Sequence, residues 1–249
     1  MDGMRFLNAG EQGLVAEFGT SIDPEINRRV HSTGALIRAA GIPGIREVVP
    51  TYRSLLIYFD PLTISRRQLI ENVRSLVAGA ESGQASTFAR VIEIPVAYGG
   101  EYGPDLEFVA GHTGLSPDEV VAIHTSVPYL VYMLGFTPGF PYLGGMSERI
   151  AAPRLEQPRT VIPGGSVGIA GTQTGIYPVA SPGGWRIIGR TPVRLFDPGA
   201  ADPFLFAAGD YLQFTAVSVA DYGAIGEQVA AGRYQPVIRS APDKGGDKH

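Results

Sequence analysis

GFTPGFPYLGGM at positions 135–146, followed by PRTVIPGGSVGIAGTQTGIYPVASPGGWRIIGRTP at 158–192, combines two features that rarely coexist. Glycine and proline recur every few residues, yet Phe136, Phe140, Tyr142, Tyr177 and Trp185 stand between them. A linker would lack the aromatics, and a regular helix or long strand would lack the prolines. Stiff aromatic loops carried on a scaffold commonly shape a site. The competing reading is a proline-rich barrel rim that only packs.

Working outward, Tyr129–Met133 reads as a strand feeding straight into the first motif, and Val167–Ala170, Ile176–Val179, Trp185–Ile188, Val193–Phe196 and Tyr211–Val217 read as further short strands. Val91–Val96 is another, interrupted by Pro95. Short helices fall near 105–112 and 116–125, the second opened by a Ser116/Glu119 capping box, and a final helix spans about 221–231. Many short strands between glycine and proline turns predict a closed or nearly closed β-barrel over residues 87–238.

Residues 1–80 predict a small α+β domain. Leu14–Phe18 is a strand after a turn at Gly10 and Gly13. Asp23-Pro24 then sets an N-cap with proline at the first helical position. Ile26, Val30, Thr33, Ile37 and Ala40 share one helix face until Gly41 and Pro43. Val48–Phe59 reads as a second strand. Ser65 and Gln68 have capping-box spacing before a helix with Leu69, Val73, Leu76 and Val77 on its core face, which stops at Gly79. The composition of AGAESGQAS (78–86) places a linker at 81–86, and the polar end of the chain predicts a disordered tail at 239–249.

Composition excludes several chemistries. The net charge of −4 argues against a nucleic-acid footprint. With no cysteine there is no thiol nucleophile, thiolate metal site or disulfide, which fits a reducing compartment. No signal-peptide core or membrane-spanning apolar run is present, so a soluble cytoplasmic protein is expected. The only lysines are Lys244 and Lys248, in the tail, so an anion bound by the folded body must meet arginine, backbone N–H groups, hydroxyls or a metal. No GxxxxGK[ST] or dinucleotide fingerprint occurs, and His31, His112, His124 and His249 lack metal-ligand spacing, so no metal is expected.

Three groups remain as candidates. His124 ends a helix just ahead of the aromatic loop, and reads either as a base or donor to substrate or as a histidine favoured by the helix dipole. The GGSVGIAGTQTG loop (164–175), with Gly165, Ser166, Gln173 and Thr174, reads either as an anion nest or, with more weight, as tight strand turns. Arg186 and Arg190, four apart on an extended strand, share a face and read either as a fork for carboxylate or phosphate or as solubilising surface charge.

Taken together, GFTPGFPYLGGM, PGGSVGIAGTQTGIYP (163–178), SPGGWRIIGRTP (181–192), LFDP (195–198) and Pro203–Phe206 with Gly209-Asp210 resemble the KipI / allophanate hydrolase subunit 1 family over nearly the whole chain. The resemblance implies a small α+β domain followed by a cyclophilin-like β-barrel. It implies ATP-dependent hydrolysis of 5-oxo-L-proline to L-glutamate by a complex, with this chain inactive alone. Its partners would be a related barrel protein (of the 5-oxoprolinase C subunit or allophanate hydrolase subunit 2 type) and a third component of the LamB/YcsF type, the 5-oxoprolinase A subunit. Two other roles follow from relatives: inhibition of a sporulation-type histidine kinase, and membership of a urea amidolyase-type carboxyltransferase. A prolyl isomerase is suggested by the barrel alone. For lactam hydrolysis, the expected pocket is lined by 136–142 and 164–185. Phe136, Pro138, Phe140, Tyr142, Gly165, Ser166, Tyr177, Gly184 and Trp185 contact the ligand, Gln173 and Thr174 orient it, Arg186 or Arg190 meets an anion, and His124 sits at the rim.

Overall fold

The computed structural model describes residues 4–80 and 90–240. The expected linker at 81–86, most of the expected tail, both lysines and His249 lie outside the described residues. The chain divides into two compact units, Met1–Thr87 and Phe88–His249.

The first unit contains β1 (Arg5–Asn8), β2 (Gly13–Glu17), α1 (Pro24–Ala40), β3 (Ile45–Pro50), β4 (Ser54–Phe59) and α2 (Arg66–Ala80). Its sheet has the order β1-β2-β4-β3, with every pairing antiparallel. Leu14, Ala16, Leu55, Ile57 and Phe59 pack against Val30 and Ile37 of α1 and Leu69 and Val73 of α2. The caps form as the sequence predicts: the Asp23 carboxylate accepts from the amides of Glu25 and Ile26, and Gly41 ends α1 at φ +55°. Ser65 and Gln68 make the reciprocal box before α2.

Val48–Phe59 is not one strand but the hairpin β3–β4, with Pro50 opposite Leu55. The turn has neither glycine nor asparagine to announce it. It is held from a distance: buried Asn27 on α1 donates through Nδ2 to the carbonyls of Thr51 and Tyr52, each at 3.1 Å.

The second unit contains β5 (Arg90–Tyr98), α3 (Leu106–Thr113), α4 (Pro117–Thr125), β6 (Tyr129–Leu134), β7 (Pro141–Gly144), β8 (Arg159–Ile162), β9 (Ser166–Ala170), β10 (Gln173–Ile176), β11 (Ser181–Gly183), β12 (Arg186–Arg190), β13 (Tyr211–Ala216), α5 (Val219–Ala230) and β14 (Ile238–Ser240). The main sheet runs β10-β9-β12-β5-β13-β6-β7, with β14 on β5. Its end strands β7 and β10 lie beside each other, so the sheet curls into a nearly closed barrel. Ile92, Ile94, Val96, Val131, Ile169, Ile188, Leu212 and Phe214 fill the interior. Strands β8 and β11 form a separate two-stranded ribbon.

Three sequence expectations change here. Pro95 does not interrupt β5. Glu93 turns its N–H toward Val237, and Pro95, two residues on, faces the same edge between the stretches paired with β14 and β12, where no ladder donor is needed. Val193–Phe196 is not a strand; Phe196 makes only an isolated bridge with Phe204. Arg239 and Ser240, assigned to the tail, instead pair with Val91 and Arg90.

Candidate functional site

The five aromatic residues singled out in sequence converge. Phe140, 4% exposed, is the hub: its ring meets those of Phe136 (5.7 Å), Tyr142 (5.4 Å), Tyr177 (5.8 Å) and Trp185 (5.9 Å), all edge to face. Such pairs contribute about 0.5–1.5 kcal/mol each beyond burial. Gly175 forms the floor, because a Cβ there would sit 3.1 Å from the Phe140 ring and 3.2 Å from that of Trp185.

The loop carrying Phe136 is tightly wound. The Thr137 amide donates to Gly135 O at 2.7 Å, a γ-turn whose central residue, Phe136, has φ +63°. Phe136 is the one non-glycine residue at positive φ among the described residues, and it is 69% exposed. A second turn follows, with Pro138 and Gly139 (φ +81°) at its centre and Phe140 N–H on Thr137 O. Strain of this kind, on the order of 1–3 kcal/mol, persists where the surroundings enforce it. The loop borders an open groove of about 290 Å3 lined by Leu134, Gly135, Phe136, Thr137, Pro138, Gly139 and Phe204. Among the described residues no charged side chain lines it. The groove does not extend to residues 164–185 as the sequence reading expected.

The glycine loop forms tight turns and not an anion nest. β9 and β10 are a hairpin turning at Gly171 (φ +58°), and the amides of Gly165, Ser166 and Gly171 donate to Tyr177 O, Pro163 O and Ala152 O. At Gly165, φ is +82° and a Cβ would lie 2.2 Å from Thr191 O, so only glycine fits. Ser166 is buried, and Gln173 opens β10.

His124 is not at a rim; it is fully buried in the barrel core beside Phe214 and Tyr129. Nδ1 is 2.8 Å from the Tyr98 hydroxyl and Nε2 is 2.7 Å from Thr174 Oγ1. The Thr174 hydroxyl donates onward to Gly168 O at 3.1 Å, so it accepts from Nε2–H, and Nδ1 accepts from Tyr98. Burial drives the His124 pKa down to about 3 and holds the ring neutral. The Tyr98 and Tyr129 hydroxyls are pushed upward, chiefly by burial.

Arg186 and Arg190 do not act as one fork. A bulge at Ile187–Gly189 breaks the strand period between them, and four extended residues span about 13 Å. Arg186 lies over the Phe108 ring at 3.5 Å and donates to Pro153 O; Arg190 donates to Gly164 O. Two residues that the sequence reading passed over are better tied to the aromatic cluster. Arg159 donates to Asp105 Oδ1 at 2.9 Å and to Trp185 O at 3.4 Å, and buried Asp105 accepts the Ile187 amide at 2.6 Å. Arg159 lies within the motif that opens at Pro158, but nothing local marks Asp105 as its partner. Gly184 accepts from the Leu155 amide through its carbonyl. Among the described residues no group of His, Asp and Glu side chains could hold a metal, and no helix is long and apolar enough to cross a membrane.

The motifs and the barrel agree with the comparisons to known proteins. Residues 4–206 match the family described as carboxyltransferase domain, subdomain C and D, and the chain belongs to it. It is 45% identical to the 5-oxoprolinase B subunit of Bacillus subtilis over 88% of this chain and 95% of that protein. It is 38% identical, with a TM-score of 0.75, to the crystal structure of TTHA0988, covering 83% of this chain but only 40% of that longer one. The Kluyveromyces lactis urea carboxylase shares the fold at 21% identity and a TM-score of 0.75; this chain spans 24% of its length.

Proposed function

We propose that this chain is the B subunit of an ATP-dependent 5-oxoprolinase, which hydrolyses 5-oxo-L-proline to L-glutamate with partner subunits. The observation that carries this reading is the 45% identity spanning 95% of the Bacillus subtilis protein so named.

A five-membered lactam resists water because its amide is resonance-stabilised. Transfer of the ATP γ-phosphoryl group to the amide oxygen makes the carbon electrophilic. Water then adds at that carbon, and the carbon–nitrogen bond breaks with nitrogen taking a proton. A second water hydrolyses the resulting acyl phosphate, giving glutamate, ADP and phosphate. Such a site must stabilise spreading negative charge and exclude bulk water.

This chain supplies the aromatic part of that site, with Phe136, Pro138 and the Phe140-centred cluster against the ligand and Arg186 or Arg190 meeting an anion. Partners of the related-barrel and LamB/YcsF types supply the rest in the cytoplasm, and ATP is a co-substrate held jointly with one of them. Three observations support a shared site. Among the described residues, the groove carries no charged side chain. His124, the one histidine near the aromatic loop in sequence, is sealed in the core. The chain has no P-loop signature, and neither lysine belongs to the described barrel.

Reconstitution tests this directly. The purified chain is mixed with its partner subunits, ATP and 5-oxoproline, and glutamate and ADP are quantified. Equal release of both, dependent on this chain and on the lactam, is expected. A complete complex that makes no glutamate, or that releases ADP without the lactam, would overturn the assignment.

A further inference from the structure

Trp185 is held through its ring and through its carbonyl. On one side the Tyr177 ring packs against it, and the Tyr177 hydroxyl reaches its place because residue 183 is glycine; a Cβ there would lie 2.3 Å from the phenolic oxygen. The Trp185 carbonyl accepts from Arg159 Nη1. The other arm of Arg159 is fixed at 2.9 Å by Asp105, which is only 7% exposed and whose second oxygen accepts the Ile187 amide at 2.6 Å. Asp105 immediately precedes α3, but its side chain makes no hydrogen bond to that helix's amides. Its carboxylate is committed to the opposite task, joining β8 to the start of β12.

We propose that Asp105 and Arg159 are positioning residues that set Trp185 and, through its ring contacts with Phe140 and Tyr177, the wall of the aromatic site. A guanidinium is the group that suits this geometry. It bridges a carboxylate and a carbonyl with separate N–H groups in one plane, which an ammonium cannot reproduce with the same reach. Neither residue touches the ligand; both act through Trp185. The catalytic consequence rests on the function proposed above, whereas the placement of Trp185 does not.

The chain contains a single tryptophan, so its fluorescence reports this position alone. Arg159→Met removes the charge, and Arg159→Lys keeps a cation for Asp105 while losing the planar fork. Asp105→Asn keeps an acceptor for the Ile187 amide and serves if the arginine variants do not fold. In the isolated full-length chain, with folding verified by circular dichroism, we expect red-shifted emission and at least twofold stronger acrylamide quenching in the variants. Wild-type emission and quenching in the folded variants would overturn the positioning role. In the reconstituted complex, we expect KM for the lactam to rise about tenfold with kcat little changed, the signature of a displaced binding wall. Altered emission with unchanged KM would overturn the link to the substrate site. A wild-type complex with no activity would refute the proposed function and leave the fluorescence result to decide the positioning role.

Discussion

His124 and Thr174, fifty residues apart in sequence, meet at 2.7 Å in the barrel core, and the threonine can accept from the imidazole because its own proton goes to Gly168 O. The contact ties α4 to β10, the strand whose Gly175 floors the aromatic cluster. A fully satisfied buried network of this kind fixes a ring in one tautomer and one orientation.

Thr174→Val should therefore destabilise the barrel by about 1–3 kcal/mol, since it leaves the imidazole N–H buried without a partner. Thr174→Ser should recover most of that. Urea titrations followed by Trp185 emission measure the difference, and equal stability of the valine and wild-type proteins would contradict the network.

The depressed His124 pKa links stability to acidity. An unfolded histidine titrates near 6.5 and the folded one near 3, so between these values the unfolded chain binds the extra proton. The stabilisation is complete above about pH 6.5 and is lost as pH falls toward 3, with a slope of about 1.4 kcal/mol per pH unit from this group. Denaturant midpoints between pH 4 and 7.5 should show that slope in the wild type and a shallower one in His124→Gln.

Gly165→Ala should lower stability by about 1–3 kcal/mol or more, because the backbone sits at φ +82° and the new methyl group would meet Thr191 O at 2.2 Å. Differential scanning calorimetry reads this directly. Ala in place of Gly100, which is also left-handed but has open space around its Cβ position, is the control for strain alone.

Phe136→Gly should separate stability from activity. Glycine takes φ +63° without strain, and that relief offsets the lost edge-to-face contact with Phe140, so stability should change by no more than about 1 kcal/mol. Activity of the reconstituted complex should fall about tenfold or more if the ring contacts the ligand. A folded and fully active variant would show that the exposed phenyl group has no part in the site.

Arg186→Ala and Arg190→Ala should each lower turnover of the complex about tenfold, the cost of one charged hydrogen bond to an anion. The structure gives a way to tell chemistry from packing for the first: Phe108→Ala removes the ring beneath Arg186 and should reproduce any purely structural part of its effect. Normal turnover in both arginine variants would remove them from the catalytic account.

Legibility in sequence followed distance along the chain. Asp23 with the amides of Glu25 and Ile26, Ser65 with Gln68, and Ser116 with Glu119 are pairs within three residues, and each formed as read. The barrel was legible because short strands must be punctuated by turn residues. The convergence of Phe136, Phe140, Tyr142, Tyr177 and Trp185 was suggested by composition, since aromatics embedded in stiff loops need a common place to pack. The β3–β4 turn was not legible, because the amide that holds it comes from Asn27. The bulge between Arg186 and Arg190 left no mark on the strand pattern either, and it removed their common face.

By itself the sequence determined the classes of element, their caps and the aromatic character of the loops, because those depend on backbone dihedrals and contacts within one turn. The tertiary structure alone decided that His124 would be a sealed neutral link rather than an accessible base. It also decided that Arg159 would answer to Asp105, 54 residues away. Burial and long-range hydrogen bonding set the charge state and the partner of a polar side chain, and both are properties of the packed interior rather than of any stretch of chain.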